Sequence, residues 1–231
     1  MTNLPPIPPH MFKLPRFRIM GMDAPVPWFV AWFKDGERCR PGEGEPDFRV
    51  VDTEKFRRAV KEKLCWVCGE KLGQYMAFVI GPMCVVNRVT SEPPNHHDCA
   101  LFSAQACPFL TRPNMRRNKK ELPEQIVDPA GHFIERNPGA ICVYITKSYK
   151  PFRAHAGGDG VLIKLGEPTG VNWFAEGRTA TRAQVTASIE SGYPALFKMA
   201  QQDGPDAIAE LERERMAAEA LLPVDKELLQ A

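Results

Sequence analysis

The chain has 231 residues, 44% of them hydrophobic, with 30 lysines and arginines against 28 acidic residues and a formal charge of +2. That length and apolar content support a real core and exclude disorder as the whole answer. The near-neutral balance excludes a global pull toward phosphate backbones or anionic lipid, so any nucleic-acid contact needs a local patch. The first twenty residues hold no uninterrupted apolar stretch of signal-peptide length. The most apolar run, 75–86, is broken by Gly81 and Pro82 and falls short of the roughly 20 residues of a membrane span. The expectation is a soluble, cytoplasmic protein with no membrane partner. Seven cysteines, an odd number without a secretory signal, argue against a disulfide framework and ask for a metal or for burial.

In chain order, Pro5, Pro6, Pro8, Pro9 and Pro15 predict an extended proline-rich arm over 1–25. A zinc-binding α+β region is expected over 26–115. It opens with a strand in VPWFVAWF (26–33), a glycine-rich loop (40–46), a strand (48–51) and a helix (53–64) with Phe56, Val60 and Leu64 on one face. Strands 75–80 and 84–89 flank Gly81-Pro82 as a hairpin, and a helix follows over 95–106. Segment 112–129 is polar and proline-punctuated, a seam before the C-terminal region 130–231, which either stands alone or shares one core with 26–115. Strands at 141–146, 161–165 and 171–174 then lead to three short helices. The first has Thr181 and Gln184 at capping-box spacing, the second has Pro194 near its start, and the third runs from about 205 until Pro223.

Cys65-Trp66-Val67-Cys68-Gly69 has the form of a zinc knuckle, in which two thiolates converge on one ion and glycine relieves the turn after the second. A knuckle supplies half a tetrahedron. With Asn95 as N-cap, His96 and Cys99 stand three apart on one face of the following helix and supply the other half. The competing ligands rank lower. His97 lies about 200° around the helix from Cys99, and Cys107 is about 12 Å farther along it. Four protein ligands close the coordination sphere, so the cofactor expected is a structural Zn2+. A thioredoxin-like dithiol would follow a strand and open a helix, which this pair does not.

Knuckle, hairpin and ligand pair over 65–107 resemble treble-clef zinc modules in that order, so the fold class expected is α+β. It combines small antiparallel sheets, a treble-clef-like zinc module and a C-terminal helical segment. Over most of the chain, the strings VPWFVAWF, PDFRVVD, LCWVCG, AFVIGPMCVVNR, EPPNHHDCALFSAQACPFL and WFAEGRTATR resemble a group of uncharacterised proteins found in phages, prophages and bacterial genomes. That resemblance implies a phage or mobile-element type, and with it a bacterial host cytoplasm. It brings no activity, substrate or partner.

Arg112, Arg116, Arg117, Lys119 and Lys120 follow directly on the cysteine helix, and treble clefs often present such loops to nucleic acid. The function read from this is a zinc-stabilised binding protein with weak, non-specific nucleic-acid binding through 112–120. A solvated loop answered by Glu121 and Glu124, or a protein–protein module, are the competing readings. An HNH-like nuclease would set His96, His97 and Asn87 around a catalytic metal, but no histidine lies between Cys68 and His96, where its catalytic one belongs. A cysteine nucleophile at Cys84, Cys107 or Cys142 paired with His132 or His155 has no support in the spacing. No catalytic residue is assigned, and the reading leans away from an enzyme.

Overall fold

The computed structural model describes residues 4–118, 135–153 and 160–224. Proline at 8 and 9 opens a short 3-10 turn, Pro9–Met11, and the chain then folds back as a hairpin of β1 (Arg16–Ile19) and β2 (Met22–Pro25). The 1–25 arm is therefore not extended throughout. Its turn is Met20-Gly21, both at positive φ (50° and 84°), the conformation that matches the twist of paired strands. A three-stranded antiparallel sheet follows, ordered β4-β3-β5, from β3 (Val30–Lys34), β4 (Glu37–Cys39) and β5 (Glu45–Val51). Asp52 caps α1 (Thr53–Glu62), accepting from the amides of Glu54 and Lys55 at 3.1 Å each.

Beyond the cysteine pair come β6 (Met76–Ile80), α2 (Pro82–Asn87), β7 (Val89–Thr90), α3 (His97–Ala106) and α4 (Pro108–Thr111). Then follow β8 (Ile141–Thr146), β9 (Tyr149–Arg153), β10 (Val161–Leu165), β11 (Pro168–Ala175), β12 (Arg178–Thr179), α5 (Arg182–Asp203) and α6 (Pro205–Glu219). The central antiparallel sheet is ordered β12-β11-β8-β6, and β7-β10-β9 form a smaller one. Because β6 pairs with β8, residues from before and after the polar segment share one sheet. Alternation along its strands sorts the core into two layers. Ala77, Ile141, Val143 and Phe174 meet Ala100 and Ala104 of α3. Phe78, Cys142, Tyr144 and Trp173 face the other way, onto Val85 and Val86 of α2, Val185 and Ala200 of α5, and Ile163 and Leu165 of β10. ICVYIT, at β8, is a continuous apolar run because both its faces are covered.

The chain is thus mixed α/β with small antiparallel sheets and a C-terminal helical segment, and no helix among the described residues is long and apolar enough to cross a membrane. Three expectations need correction. The 84–89 strand is not formed. Gly81 is the N-cap of α2 with Pro82 at its first position, where a missing N–H costs nothing, so the hairpin between knuckle and helix is absent. Helix α3 begins at His97 rather than at 95. The C-terminal segment has two helices among the described residues, not three. The Thr181–Gln184 capping box starts α5, which runs through Pro194. Pro194 removes one intrahelical donor, yet Val185, Ser188, Gly192 and Ala200 are buried on both sides of it and hold the helix in register. Gly192 is the close approach, since a Cβ there would lie 2.9 Å from Cγ of Met83.

Candidate metal centre

The knuckle is built by short backbone hydrogen bonds. Cys65 N–H donates to the Glu70 carbonyl at 2.7 Å, Gly69 N–H donates to that of Cys65 at 2.8 Å, and Leu64 bridges to Lys71. Gly69 takes φ +77°, the left-handed value that the turn demands. Trp28 lies flat against it, so a Cβ at Gly69 would stand 2.8 Å from the indole.

Cys65, Cys68, His96 and Cys99 come together with their ligand atoms all within 4.8 Å of one another, the three cysteines buried and the histidine half-buried. His96 is not in the first helical turn. It is the extended N-cap residue of α3 (φ −62°, ψ 151°), and this turns its ring back toward the knuckle. Its Nδ1 lies 3.3 Å from Cys68 Sγ, while Nε2 is 3.0 Å from the Lys71 carbonyl. An Nε2–H donated there leaves the Nδ1 lone pair facing the thiols, the outer hydrogen bond that commonly fixes a ligand histidine's tautomer. The amides of Cys68 and His96 both point at Cys65 Sγ, at 3.5 and 3.4 Å.

Asn95 has a different role from the expected N-cap. Fully buried, its Oδ1 accepts from Val67 N–H at 3.2 Å, its Nδ2 donates to the Ala77 carbonyl at 3.3 Å, and its backbone pairs with Ala77 in both directions. One side chain thereby ties the knuckle, β6 and the start of α3, fixing both ligand pairs against the central sheet.

The electrostatics are those of a site that shares protons. Burial pushes the Cys65 thiol up, but hydrogen bonds from Cys68, Cys99 and His96 outweigh it and hold it well below the ordinary thiol range. Hydrogen bonding to Cys65 and Cys68 pushes Cys99 up, and the same two side chains raise the His96 imidazole to about 11. A cation would replace these protons, since metal ligands bind deprotonated.

Nothing local in the sequence marks His10. Its ring stacks on that of His96 with centroids 4.2 Å apart, and its Nδ1 lies 2.9 Å from Glu70 Oε2. Met11 (1% exposed) and Leu14 pack with Cys65, Val67, Cys68, Cys99 and Phe102, so the N-terminal segment is the cover of this centre.

The competing ligands lie elsewhere. His97 is exposed and turns its Nε2 to Asn172 Oδ1 at 3.3 Å, while Cys107 terminates α3 and caps α4. His96→Ala is therefore expected to weaken metal binding at least tenfold more than His97→Ala, as read by competition with a chelating dye. Equal losses would remove His96 from the ligand set. Arg112, Arg116 and Arg117 are exposed, whereas Lys119, Lys120, Glu121, Glu124, His132 and His155 lie outside the described residues. Cys84 and Cys142 have their thiols pushed up by burial, Cys84 to about 12, which suits packing rather than nucleophilic attack. No family model, curated protein or solved structure matches the chain, so the reading of this centre rests on its own geometry.

Proposed function

We propose that the chain is a zinc-stabilised binding protein, treble-clef-like in its ligand order, that contacts nucleic acid through the basic segment following α4. The observation that carries the reading is the ligand set. Three buried thiols and one imidazole converge from a knuckle and a helix start, and four protein ligands leave no coordination position for a substrate. Thiolate-rich sets select soft or borderline ions such as zinc over magnesium or calcium. The metal then serves the fold, and function belongs to the surface around it.

The basic segment is supported from beneath. Arg117 N–H donates to the Glu135 carbonyl at 2.8 Å, Arg116 bridges to Arg136, and the Arg117 guanidinium lies 5.3 Å from the Phe109 ring centroid. Exposed guanidinium groups on a pinned backbone are suited to phosphate contact. The expected result is weak binding to DNA or RNA whose affinity falls with salt as counterions are released. Replacing Arg116, Arg117, Lys119 and Lys120 together with glutamine should flatten the slope of log affinity against log salt by about 0.9 per lost contact on duplex DNA, with zinc content unchanged. A wild-type protein that binds no nucleic acid at low ionic strength would defeat the reading and direct the search to a protein partner.

A further inference from the structure

Two shallow, open surface clefts share Lys147 in their linings. One, of about 650 Å³, is lined by Tyr75, His97, Ile145, Lys147 and Thr169; the other, of about 220 Å³, by Lys63, Met76, Tyr149 and neighbours, with Lys147 common to both. Together they run over the start of β6, the edge strand of the central sheet, and around the turn joining β8 to β9. Two lysines line them and no carboxylate does. Glu62, next to Lys63 in sequence, is engaged by Arg58 at 3.1 Å.

We propose that these neighbouring clefts bind single-stranded nucleic acid, with a base stacked on Tyr75 and phosphates held by Lys147 and Lys63. The proposal rests on the nucleic-acid reading for the class of polymer, and adds a strand-selective surface made of residues outside the basic segment. Tyr75 is 53% exposed although it adjoins a buried strand, and Lys147 Nζ stands 4.9 Å from its ring centroid. The ammonium lies over one face of the ring, so a base stacks on the other face while Lys147 holds its phosphate, and a duplex hides the base faces that such a ring needs.

Two further features belong to this surface. Tyr149 Oη is buried with no hydrogen-bond partner among the described residues, on a ring fixed edge-on to Phe78 with centroids 5.8 Å apart. That hydroxyl is closed to solvent, so it donates to a phosphate or base only where the bound strand shifts the wall over it. Lys63 occupies the C-cap of α1 at φ 54°, ψ 58°, a left-handed conformation in which glycine or asparagine is the usual residue.

The test is fluorescence anisotropy of the full-length protein with labelled twelve-nucleotide oligo-dT, oligo-U and a twelve-base-pair duplex, at low ionic strength. The expected result is single strands bound at least tenfold tighter than duplex. Tyr75→Ala should weaken single-strand binding roughly five- to 150-fold, the range of one lost base stack. Lys147→Gln should weaken it too, and Tyr149→Phe should do so severalfold without lowering the thermal midpoint. Lys63→Gly should raise or preserve the midpoint while weakening binding. Wild-type affinity in both Tyr75→Ala and Lys147→Gln, equal affinity for duplex and single strand, or full displacement of the oligonucleotide by equimolar poly-glutamate would each overturn the proposal. If the basic-segment variant keeps all single-strand binding while the cleft variants lose it, the earlier reading fails and this one stands.

Discussion

Cys65→Ser or Cys99→Ser is expected to abolish the binding of one zinc per chain and to unfold the region around the knuckle, while the central sheet and C-terminal helices retain protection from hydrogen exchange. The reason lies in the composition of the two cores. Three of the seven buried residues in the cluster beneath the N-terminal segment are the ligand cysteines themselves, leaving Met11, Leu14, Val67 and Phe102 as its apolar content. Metal binding contributes on the order of 10 kcal/mol or more in small zinc modules, comparable with a whole domain's stability. The larger core, with sixteen buried residues spread over β6, α2, β8, β10, β11, α5 and α6, has no such dependence. Metal analysis together with exchange mass spectrometry checks both halves of the statement. A metal-free Cys65→Ser protein with wild-type protection across 4–72 would show that the cluster is a set of packed thiols.

The cysteine–histidine cluster was legible because each of its pairs is set over a short stretch of chain. Cys65 and Cys68, and His96 and Cys99, are each close enough in sequence that local geometry alone brings the pair to one point, and Gly69 marks the turn. What surrounds the ligands was not legible, because it depends on contacts far apart in the chain. Asn95 before a helix reads as an N-cap, yet its amide is used across 28 residues to hold Val67. His10 reaches Glu70 over 60 residues. The short apolar stretch 84–89 fits strand or helix equally by pattern, and only Pro82 at a first-turn position distinguishes them. β9 leaves little trace in the sequence because it carries Pro151 and is exposed along most of its length, as an edge strand can be. Strands covered on both faces, such as β8, announce themselves, whereas edges and irregular helices do not.

Trp66→Ala is expected to cost about 3–5 kcal/mol, in the range for deleting a buried large aromatic, without removing the metal. Trp66 is 4% exposed and sits inside the knuckle sequence, yet its indole serves a different contact from the ligands on either side of it. It stacks on Phe29 with centroids 4.8 Å apart and meets Phe56 and Trp28 edge-on at 5.7 and 6.5 Å. Those three rings come from the segment entering β3 and from α1, so one side chain joins the β4-β3-β5 sheet and its helix to the knuckle turn. The backbone of the same turn contributes two further ties, Trp28 N–H to the Val67 carbonyl at 2.7 Å and Trp66 N–H to that of Pro94 at 3.0 Å, and the substitution leaves both in place. Thermal melting should therefore shift down by roughly 10 °C, at about 2–4 °C per kcal/mol for a chain of this size. Zinc content at the start of the melt should equal that of the wild type, which separates this variant from Cys65→Ser. Trp66→Phe, which keeps part of the stack on Phe29, should recover most of the loss. A Trp66→Ala shift below 2 °C would mean that the Trp28–Val67 backbone hydrogen bond, and not the aromatic cluster, holds the N-terminal sheet to the knuckle turn.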